Sequence, residues 1–527
     1  MTTAADMLAT GFATLPDLIH AHALERGDRT AVADSQGSID YRTLDSTMDR
    51  VAAALQRDGV ARGSAVAIVA APTTDYAAAF LGAVRAGCVT TPIAPSATPA
   101  AIAAMIADSG APVVFLDAEN AQALEGQQLT ARPILFPREG GSLDWAPAFA
   151  GEQAYSDWLA PEGSRPAAVA IAPEDPFNII YSSGTTGTPK GIVQSHAMRW
   201  AHIARNTAAG FDTAVTMIAT PLYSNTTLVS FLPTLGWGGT VVLMKKFEAR
   251  AYLELAERYR ATHTMLVPVQ YQRIMALPDF DDFDLSAFRF KTSTSAPFSA
   301  ALKADVVARW PGLLVEFYGM TEGGASCALN ATANPTKLHT VGPPMPGHEI
   351  RLIDDDGNEV APGEMGEVVG RSPAMMNGYH GRSEATRDAE WHDTDGNRYI
   401  RHGDVGRFDE DGFLTLMDRK KDLIISGGFN IYPSDLETVL AQHPAVADCA
   451  VIGMPSEAWG ETPVGFYVPR DGASEDAPSI LAWANAQLGK TQRLSALHVT
   501  DELPRSAIGK VLKRELRDQL AASLPSS

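Results

Sequence analysis

The chain has 527 residues, of which 45% are hydrophobic and 20% are charged, and its formal net charge is −20. This length exceeds what one hydrophobic core supports, so two or more domains are expected. The excess of negative charge argues against nucleic acid or an anionic membrane surface as a partner. A site for polyphosphate in such a protein must gather positive charge locally or use Mg²⁺.

The three cysteines, Cys88, Cys327 and Cys449, are widely separated and lack metal-ligand spacing. They predict a reducing compartment and no disulfide framework. The first residues do not have the pattern of a signal peptide, and no apolar run approaches the ~20 residues that span a bilayer. We therefore expect a cytoplasmic protein with no transmembrane segment. Its oligomeric state, monomer or homodimer, is left open by the sequence.

Short apolar runs alternate with helical stretches through the first 330 residues. Residues 38–56 carry apolar side chains at helical spacing, and apolar runs follow at 65–71, 113–116, 177–181, 216–219, 241–244 and 264–267. This alternation predicts an α/β architecture of doubly wound, mainly parallel sheets. Residues 118–175 are rich in Pro, Gly, Ala and Glu, and there we expect peripheral loops and short helices.

The pattern changes after about residue 330. Short strands separated by turns predict a small β-barrel subdomain over about 331–417, within a large N-terminal domain of residues 1–417. From residue 424 onward, short strands mix with helices and predict a smaller α+β C-terminal domain over 424–527.

A loop rich in glycine and hydroxyl side chains follows the apolar run at 177–181. Its sequence is Tyr181-Ser-Ser-Gly-Thr-Thr-Gly-Thr-Pro-Lys-Gly191. It predicts polyphosphate binding, because backbone N–H groups, hydroxyls and one lysine can surround anionic oxygens. The Walker A pattern does not match, since Pro189 precedes Lys190 and Gly191 follows it. The alternative, a plain linker, fits less well beside an apolar run typical of a buried strand.

Five later stretches also carry residues that nucleotide chemistry needs. The stretch Tyr318–Gly324 offers an aromatic face, a hydroxyl and a carboxylate able to hold Mg²⁺. The others are a small-residue turn at 295–298, an acidic turn at 401–406, and the lysine-bearing segments 418–422 and 504–510. Taken singly, Asp404, Arg419 and Lys510 are more simply explained as solvated charged residues.

The order of these motifs resembles that of the adenylate-forming superfamily, which includes acyl-CoA synthetases, adenylation domains of peptide synthetases and beetle luciferases. The resemblance extends from about residue 15 to 520. The matching motifs are 181–190, 318–322, 403–404, 418–419 with 426–428, and 509–510. The first two are highly specific, whereas the Gly-Asp pair alone would be a weak signal.

The resemblance implies two half-reactions with Mg²⁺ as cofactor and ATP and CoA as co-substrates. A carboxylate attacks the α-phosphate of ATP, giving acyl-adenylate and pyrophosphate, and a thiol then displaces AMP. It also implies these site residues: Thr185, Thr186 and Lys190 at the β- and γ-phosphates; Ser295, Ala296, Pro297 and Tyr318 at adenine; Gly319 at the nucleotide; Thr321 at the α-phosphate; Glu322 at Mg²⁺; Asp404 and Arg419 at ribose; and Lys510 between the acid and the α-phosphate.

The resemblance further implies that the C-terminal domain rotates between the half-reactions about a hinge in residues 418–423. Lys421 occupies the hinge position, and a hinge needs only to absorb a change in backbone torsion. Gly427 and Gly428 would line the path of the incoming thiol, where the missing side chains permit close approach.

The acyl pocket is expected near Pro221-Leu-Tyr-Ser-Asn-Thr-Thr227, which resembles a family motif that often has histidine where Ser224 stands. Asn225 and Gln270 would either recognise a polar group on the acid or bond the backbone, and the sequence leaves both open. His402 replaces the usual threonine before Gly-Asp, a change expected to be tolerated. The full set of expected pocket residues is Tyr223, Ser224, Asn225, Gln270, Tyr271, Met320 and Gly324.

The sequence therefore favours an acyl-CoA synthetase that makes a thioester from a carboxylic acid, ATP and CoA. One alternative is a stand-alone adenylation enzyme that loads the phosphopantetheine thiol of a carrier protein. Another is a non-catalytic nucleotide-binding scaffold, which is disfavoured by the joint presence of Lys190, Glu322, Asp404, Arg419 and Lys510. The sequence does not identify the acid as fatty, aryl or dicarboxylic.

Overall fold

A computed structural model of the chain describes residues 2–137, 149, 151–182, 190–204, 209–419, 422–426, 429–456, 459–489, 492–506 and 509–523, with the backbone alone at 182, 418–419, 429–430 and 523. Thr185, Thr186, Lys421, Gly427 and Gly428 lie outside the described residues, as does the side chain of Arg419.

In chain order, the described helices are α1 (Ala4–Leu8), α2 (Leu15–Arg26), α3 (Tyr41–Arg57), α4 (Thr74–Arg85), α5 (Pro99–Ser109), α6 (Ala118–Ala123), α7 (Tyr155–Trp158), α8 (His196–Ala204), α9 (Asn225–Gly236), α10 (Ala249–Arg258), α11 (Pro268–Met275), α12 (Ala300–Arg309), α13 (Ser383–Asp388), α14 (Pro433–Leu440), α15 (Ala477–Gln487) and α16 (Lys513–Ser523).

The described strands of the large domain are β1 (Thr30–Ala33), β2 (Ser38–Asp40), β3 (Ala65–Val69), β4 (Val89–Pro92), β5 (Val113–Leu116), β6 (Arg132–Leu135), β7 (Gln153–Ala154), β8 (Pro176–Ser182), β9 (Lys190–Ser195), β10 (Val215–Ile218), β11 (Thr240–Leu243), β12 (His263–Leu266), β13 (Phe290–Ser293), β14 (Leu313–Met320), β15 (Gly323–Asn330), β16 (Glu349–Ile353), β17 (Gly366–Arg371), β18 (Gly378–Tyr379), β19 (Glu390–His392), β20 (Arg398–Phe408) and β21 (Leu414–Arg419).

The strands of the C-terminal domain are β22 (Ile424–Ser426), β23 (Phe429–Ile431), β24 (Val446–Ser456), β25 (Gly460–Pro469) and β26 (Ala496–Val499).

Two mainly parallel sheets organise the large domain, as the alternation of runs predicts. One has the order β15-β14-β13-β12-β10-β11-β1-β2, and the other has the order β18-β9-β8-β4-β3-β5-β6-β7. In both sheets the central strands pair in parallel and antiparallel pairs lie at an edge. A core containing residues of α2, α3, α4 and α9 lies between the sheets, and further helices cover their outer faces. The fold is therefore α/β and doubly wound.

The expectation for residues 118–175 is wrong in part. Strands β6 and β7 extend the second sheet in parallel, so this segment supplies an edge of the sheet as well as short helices. Its aromatic side chains pack into the core, where Tyr155 and Trp158 contact Phe115. Pro133 occupies one of these strands, and proline is tolerated in strands close to a sheet edge.

The β-rich subdomain is a five-stranded antiparallel sheet of order β16-β17-β20-β19, with β21 paired to the far end of β20. The C-terminal domain has a second five-stranded sheet, β23-β22-β25-β24 with β26 beside β25, packed against α14 and α15. None of the helices in the described part of the chain combines the length and the hydropathy needed to cross a bilayer.

Candidate active site

A cavity of ≈ 2450 Å³ lies where parallel strands of both large sheets end. Its walls include the segments after β10, β12, β13 and β14 of one sheet and after β3, β4 and β5 of the other. Residues 502–506, 509–510, 512 and 515 of the C-terminal domain also line it. The crevice beyond the carboxyl ends of the strands is where open α/β sheets bind ligands.

The cavity has a different charge balance from the chain as a whole. Its walls carry as many cationic as anionic side chains, although the chain has a net charge of −20. The cavity wall is therefore less acidic than the chain as a whole, which lowers the electrostatic cost of binding an anion there. The cationic wall residues are Lys190, Lys245, Lys246, Arg273, Arg505 and Lys510, and the anionic ones are Asp34, Asp117, Glu119, Glu322, Glu502 and Glu515.

A short hairpin of the C-terminal domain brings Lys510 to the cavity. The Ser506 amide donates to the Lys510 carbonyl at 2.8 Å, and the Ser506 hydroxyl accepts from the Lys510 amide at 3.2 Å. Arg505 anchors the same hairpin, donating to the Gly509 carbonyl at 2.7 Å and to Asp448 at 2.6 Å. A Cβ on Gly509 would lie 2.8 Å from Cγ1 of Val269, so the hairpin packs directly against the large domain.

Tyr318 lies at the end of β14 within a three-residue hydrogen-bonded cluster. Its hydroxyl donates to Asp404 Oδ2 at 2.8 Å, and Nδ1 of His402 is 3.0 Å from the same hydroxyl oxygen. Because the single tyrosine proton is used by Asp404, we assign the proton on His402 to Nδ1. Asp404 is set back from the cavity while Gly403 and Tyr318 line it, and Asp404 pairs in register with Arg419 across β20 and β21.

Glu322 follows β14, and its carboxylate accepts a 2.9 Å hydrogen bond from the Tyr379 hydroxyl. The Lys190 ammonium is 5.1 Å from the centroid of the Tyr379 ring, within cation–π range. Burial raises the pKa of Tyr379 above its usual range, and the Glu322 carboxylate adds to this rise. The hydroxyl therefore remains a donor. Tyr379 contacts both Lys190, which is expected to bind phosphate, and Glu322, which is expected to hold Mg²⁺.

Ser295 adopts a left-handed backbone conformation with φ 81°, which is unfavourable for a residue with a Cβ. Its hydroxyl lies 2.5 Å from that of Thr226, at the start of α9. Ser295 lines the cavity, and Ala296 and Pro297 follow it along the chain. A strained residue held by a neighbouring element is a feature of binding sites.

The expected acyl-pocket residues separate into two groups. Tyr223, Ser224, Asn225, Gln270 and Met320 line the cavity. Ser224 caps α9, accepting from the Thr226 amide, which gives its hydroxyl a structural role. The Gln270 amide hydrogen-bonds the backbone at both ends: its oxygen accepts from the Val267 N–H at 3.0 Å, and its NH₂ group donates to the Ala219 carbonyl at 2.8 Å. Of the two readings of Gln270, the structure supports backbone bonding.

Tyr271 and Gly324 are set back from the cavity wall. Tyr271 is fully buried, stacks on Phe298 with ring centroids 5.3 Å apart, and donates to the Thr292 carbonyl at 3.0 Å. A Cβ on Gly324 would lie 2.9 Å from Nε2 of His402, so Gly324 faces the β-rich subdomain. The structure therefore assigns these two residues to packing instead of to the acyl pocket, because helix α11 and strand β15 turn them away from the cleft.

Two family models match the chain. The model described as AMP-binding enzyme matches residues 19–380, and the one described as AMP-binding enzyme C-terminal domain matches residues 435–510. The chain belongs to the AMP-binding enzyme family. It is thereby a member of the adenylate-forming superfamily that the order of its motifs resembles.

Full-length relatives of this AMP-binding enzyme are ligases. A feruloyl-CoA synthase of Amycolatopsis is 34% identical over 93% of this chain and 95% of the relative. A fatty acid–[acyl-carrier-protein] ligase, ScoC of Streptomyces coeruleorubidus, is 30% identical over 96% of each chain. The solved structure of the amide bond synthetase McbA from Marinactinospora thermotolerans matches with a TM-score of 0.82 and 29% identity, over 96% of this chain and 99% of that one. By this kinship the AMP-binding enzyme is an AMP-forming acid–thiol ligase.

Several residues of this AMP-binding enzyme are not singled out by its sequence. Tyr379 contacts Glu322 from a short strand that carries no expected site residue, Arg505 bonds the backbone of the hairpin that carries Lys510, and His402 contacts Tyr318. Gln194 and Arg199 join Asn225 to the backbone of Thr321. The sequence gives little signal for the last pair, because the same strand and helix carry other polar residues, namely Lys190 and Ser195 on β9 and His196 and His202 on α8.

Replacing Tyr379 with phenylalanine is expected to lower kcat/KM for Mg-ATP about tenfold, since a hydrogen bond to a charged group contributes ~1.5–3 kcal/mol. The half-saturating Mg²⁺ concentration should rise, because the Glu322 carboxylate loses the hydroxyl that orients it. Acid-dependent pyrophosphate release across a Mg²⁺ titration measures both effects. Tyr399→Phe, in the core of the neighbouring β-rich subdomain, should leave the Mg²⁺ dependence unchanged. An unchanged Mg²⁺ dependence in Tyr379→Phe would contradict the assignment.

Proposed function

We propose that the protein activates a carboxylic acid with ATP and transfers the resulting acyl group to the thiol of CoA. In the first step a carboxylate oxygen bonds to the α-phosphorus and the bond to pyrophosphate breaks. In the second, the CoA thiolate bonds to the acyl carbon and AMP leaves. The observation that carries this proposal is the position of Lys510, which reaches from the C-terminal domain into the cavity lined by Tyr318, Thr321 and Glu322.

The first step brings two anions together, so its barrier is dominated by electrostatic repulsion. An ammonium that reaches both the carboxylate and the α-phosphate lowers this repulsion most in the transition state. We assign that role to Lys510. Thr321 would contact the α-phosphate, with its backbone position held by the 2.6 Å bond from Gln194 Nε2 to its carbonyl.

The nucleotide would occupy the wall formed by the ends of β13 and β14. Tyr318, Gly319 and the turn from Ser295 to Pro297 present flat or small surfaces to adenine, while Asp404 and Arg419 would hold the ribose hydroxyls. The hydrogen bond from Tyr318 to Asp404 fixes the ring and the carboxylate relative to each other. Lys190 would bind the phosphates, together with Thr185 and Thr186 of the same loop.

Mg²⁺ would enter with ATP and be held by Glu322. In the described residues no set of three or more His, Cys, Asp or Glu side chains is arranged as a metal site. A single protein carboxylate, oriented by Tyr379, fits a Mg²⁺ that takes its remaining ligands from phosphates and water. When bound, the ion would neutralise charge on the departing pyrophosphate.

For the second step we propose that the C-terminal domain rotates about Lys421. The rotation would move Lys510 out of the cavity and bring Gly427 and Gly428 to it, where they would line the path of the thiol. The conformation in which the hairpin packs against Val269 is suited to the first step, because it holds Lys510 at the cavity. A thiol needs the same approach to the acyl carbon, so Lys510 has to withdraw. Hinge rotations of this kind need few residues to change backbone torsion.

The close contact of Gly509 gives a test of this arrangement. Gly509→Ala is expected to lower adenylate formation about tenfold and to affect thioester formation from supplied acyl-adenylate much less. The added methyl would meet Val269 at 2.8 Å only when the hairpin is docked, and the left-handed φ of 77° adds strain. Acid-dependent pyrophosphate release measures the first step, and CoA-dependent consumption of acyl-adenylate measures the second.

Val269→Ala provides the matched control, because it makes room for the new methyl group without changing Gly509. The double variant Gly509→Ala/Val269→Ala should recover part of the lost adenylate formation. Equal losses in both half-reactions, with no recovery in the double variant, would show that the hairpin is merely strained and that its docking does not govern the first step.

A carrier protein is the second candidate for the acyl acceptor, and the similarity to the acyl-carrier-protein ligase ScoC favours considering it. The deciding experiment is a screen of fatty, aryl and dicarboxylic acids for pyrophosphate release, with CoA or phosphopantetheinylated carrier protein added. Thioester formed with CoA alone supports the proposal, and thioester formed with the carrier alone replaces CoA as the acceptor. Absence of acid-dependent pyrophosphate release for every acid would overturn the proposed function.

A further inference from the structure

A buried arginine lies one layer behind the acyl part of the cavity wall. Arg199, on α8, is 1% exposed, and burial lowers the pKa of its guanidinium to about 9. Among the described residues no carboxylate lies within ion-pair distance of it. Arginine is rarely buried unless it is paired, because an uncompensated charge is costly to remove from water. The burial of this guanidinium therefore has to be compensated by other hydrogen-bond acceptors.

Amide side chains surround this guanidinium in place of an anion. Its Nε donates to Asn178 Oδ1 at 2.9 Å, its Nη1 donates to Asn225 Oδ1 at 2.8 Å, and its Nη2 donates to Gln194 Oε1. Asn178 and Gln194 face each other on β8 and β9 and share a 2.9 Å hydrogen bond. The network joins two strands to the first residue of α9, and Gln194 extends it to the Thr321 carbonyl.

The chemistry of arginine determines which way the Asn225 amide points. A guanidinium can only donate, so the atom of Asn225 that faces Arg199 must be its oxygen. Gln194 donates to the same oxygen at 3.4 Å. The NH₂ group is therefore the end of the amide that Asn225 offers away from the network. Asn225 is half-buried and lines the cavity, which is where that donor is available.

The neighbouring polar residues of the wall are engaged elsewhere. Gln270 bonds backbone at both ends of its amide, and Ser224 caps α9. Tyr223 hydrogen-bonds Ser96, and burial raises its pKa. Asn225 therefore stands out as the side chain whose donor is oriented by a dedicated network. The positive charge behind it polarises the amide and strengthens that donor.

We propose that Arg199 is a positioning residue, which holds Asn225 as a hydrogen-bond donor to an oxygen atom on the acyl part of the acid. This inference rests on the proposed function and names the substrate class within it: acids that carry a carbonyl, hydroxyl or second carboxylate oxygen in addition to the reacting carboxylate. A purely hydrocarbon acyl group leaves the oriented donor unpaired, and a site built to bond a polar group discriminates against an analogue that lacks it.

The test compares pairs of acids of similar size, one with and one without oxygen on the acyl part. Suitable pairs are 4-oxo-4-phenylbutanoate with 4-phenylbutanoate, 4-hydroxybenzoate with 4-methylbenzoate, and glutarate with pentanoate. The quantity measured is the ratio of kcat/KM within each pair, from acid-dependent pyrophosphate release. Wild-type protein should prefer the oxygenated acid about tenfold in at least one pair. The ratio is independent of the fraction of protein that is folded, so a loss of stability alone does not move it.

Asn225→Leu should bring the preferred ratio close to one, because the donor is lost. Arg199→Met should lower the ratio similarly, since the amide is then free to rotate, and Arg199→Lys should be intermediate because lysine still donates to Asn225. Arg62→Met, which removes an arginine that pairs with Asp175 outside the cavity, should keep the wild-type ratio. If Arg199→Met does not fold, Asn225→Leu and Arg199→Lys decide the result.

The outcomes separate the two proposals. Wild-type protein that activates acids without preferring an oxygenated member of any pair would overturn this inference and leave the proposed function standing. A preference that survives in both Asn225→Leu and Arg199→Lys at its wild-type value would also overturn it. Absence of pyrophosphate release with every acid would overturn the proposed function, and this inference with it.

Discussion

Lys510→Ala is expected to lower the rate of acyl-adenylate formation by about 10²–10³, the usual effect of removing one electrostatic donor from a transition state. Thioester formation from supplied acyl-adenylate should retain most of its rate, because Lys510 has no role once the adenylate exists. Rapid-quench measurement of acyl-adenylate in the first turnover, and of acyl-CoA from synthetic acyl-adenylate, gives the two rates. The contrast between these rates is the signature of the assignment.

Arg514→Ala is the control for charge alone, since Arg514 is an exposed residue of α16 in the same domain. It should leave both half-reactions near wild-type rates. If Lys510→Ala reduced both half-reactions by the same factor, Lys510 would serve the structure or the binding of a shared substrate, and its proposed place between the acid and the α-phosphate would be wrong.

Lys303→Met is expected to destabilise the large domain by about 3–5 kcal/mol, the usual effect of removing one partner from a buried ion pair. Lys303 on α12 pairs with Glu316 on β14, and the two residues are 1% and 4% exposed. Its ammonium also donates to the carbonyls of Leu338 at 2.7 Å and Thr340 at 3.1 Å. The variant leaves a carboxylate and two carbonyls without this donor, and the midpoint of urea unfolding measures the loss.

Arg309→Met is the matched control, because Arg309 lies on the same helix and its ion pairs with Asp281 and Asp305 are partly exposed. Its effect should stay below about 1 kcal/mol. The double variant Lys303→Met/Glu316→Leu should be more stable than Lys303→Met, since no buried charge remains. A loss in Lys303→Met no larger than that in Arg309→Met would contradict the importance of the pair.

The destabilisation should also depend on pH. Burial raises the pKa of Glu316 to about 7, against the opposing effect of Lys303, from an ordinary value of 4.5. The folded state therefore binds more protons than the unfolded state between these values, and stability falls as pH rises through this window. Without Lys303 the carboxyl is held still more strongly in its protonated form. The loss in Lys303→Met should thus be larger at about pH 8 than at about pH 5.

Local sequence patterns suffice for much of the architecture. Apolar runs of four to seven residues predict the parallel strands of both sheets, since a strand buried on both faces needs apolar side chains at every position. The same patterns missed β6 and β7, whose short runs lie among Pro, Gly and Ala and gain their place from a neighbouring strand. Pairing at a sheet edge depends on the partner strand, and a single segment does not contain that information.

The nucleotide motifs are also readable from the chain, because each combines residue types that few other tasks require. Tyr318 lies near the end of one strand and Glu322 directly follows it, and Gly509 and Lys510 share one hairpin, so short segments carry them. Their resemblance to known motifs suggested a common site. The structure brings Tyr318, Glu322 and Lys510 to one cavity although some 190 residues separate the last two in sequence.

The acyl side of the cavity is where the sequence alone was insufficient. In sequence, Asn225, Gln270 and Tyr271 are equivalent candidates for the acyl pocket. In the structure Asn225 lines the cavity with its amide oriented, the Gln270 amide bonds the backbone, and Tyr271 lies in the core. Arg199 is not among the residues that the sequence singles out, although it hydrogen-bonds Asn225 from a helix 26 positions earlier in the chain. Hydrogen-bond partners of this kind are chosen by helix packing across the sheet, which acts between distant segments.

The sequence by itself determined the α/β class, the family and the nucleotide chemistry of this protein, because those depend on local periodicity and on short motifs. Only the tertiary structure decided which polar side chains line the cavity with an uncommitted hydrogen-bonding group. The reason is that a polar group is available only if the fold does not already supply its hydrogen-bond partner. Those partners come from distant segments that meet only when the molecule is packed.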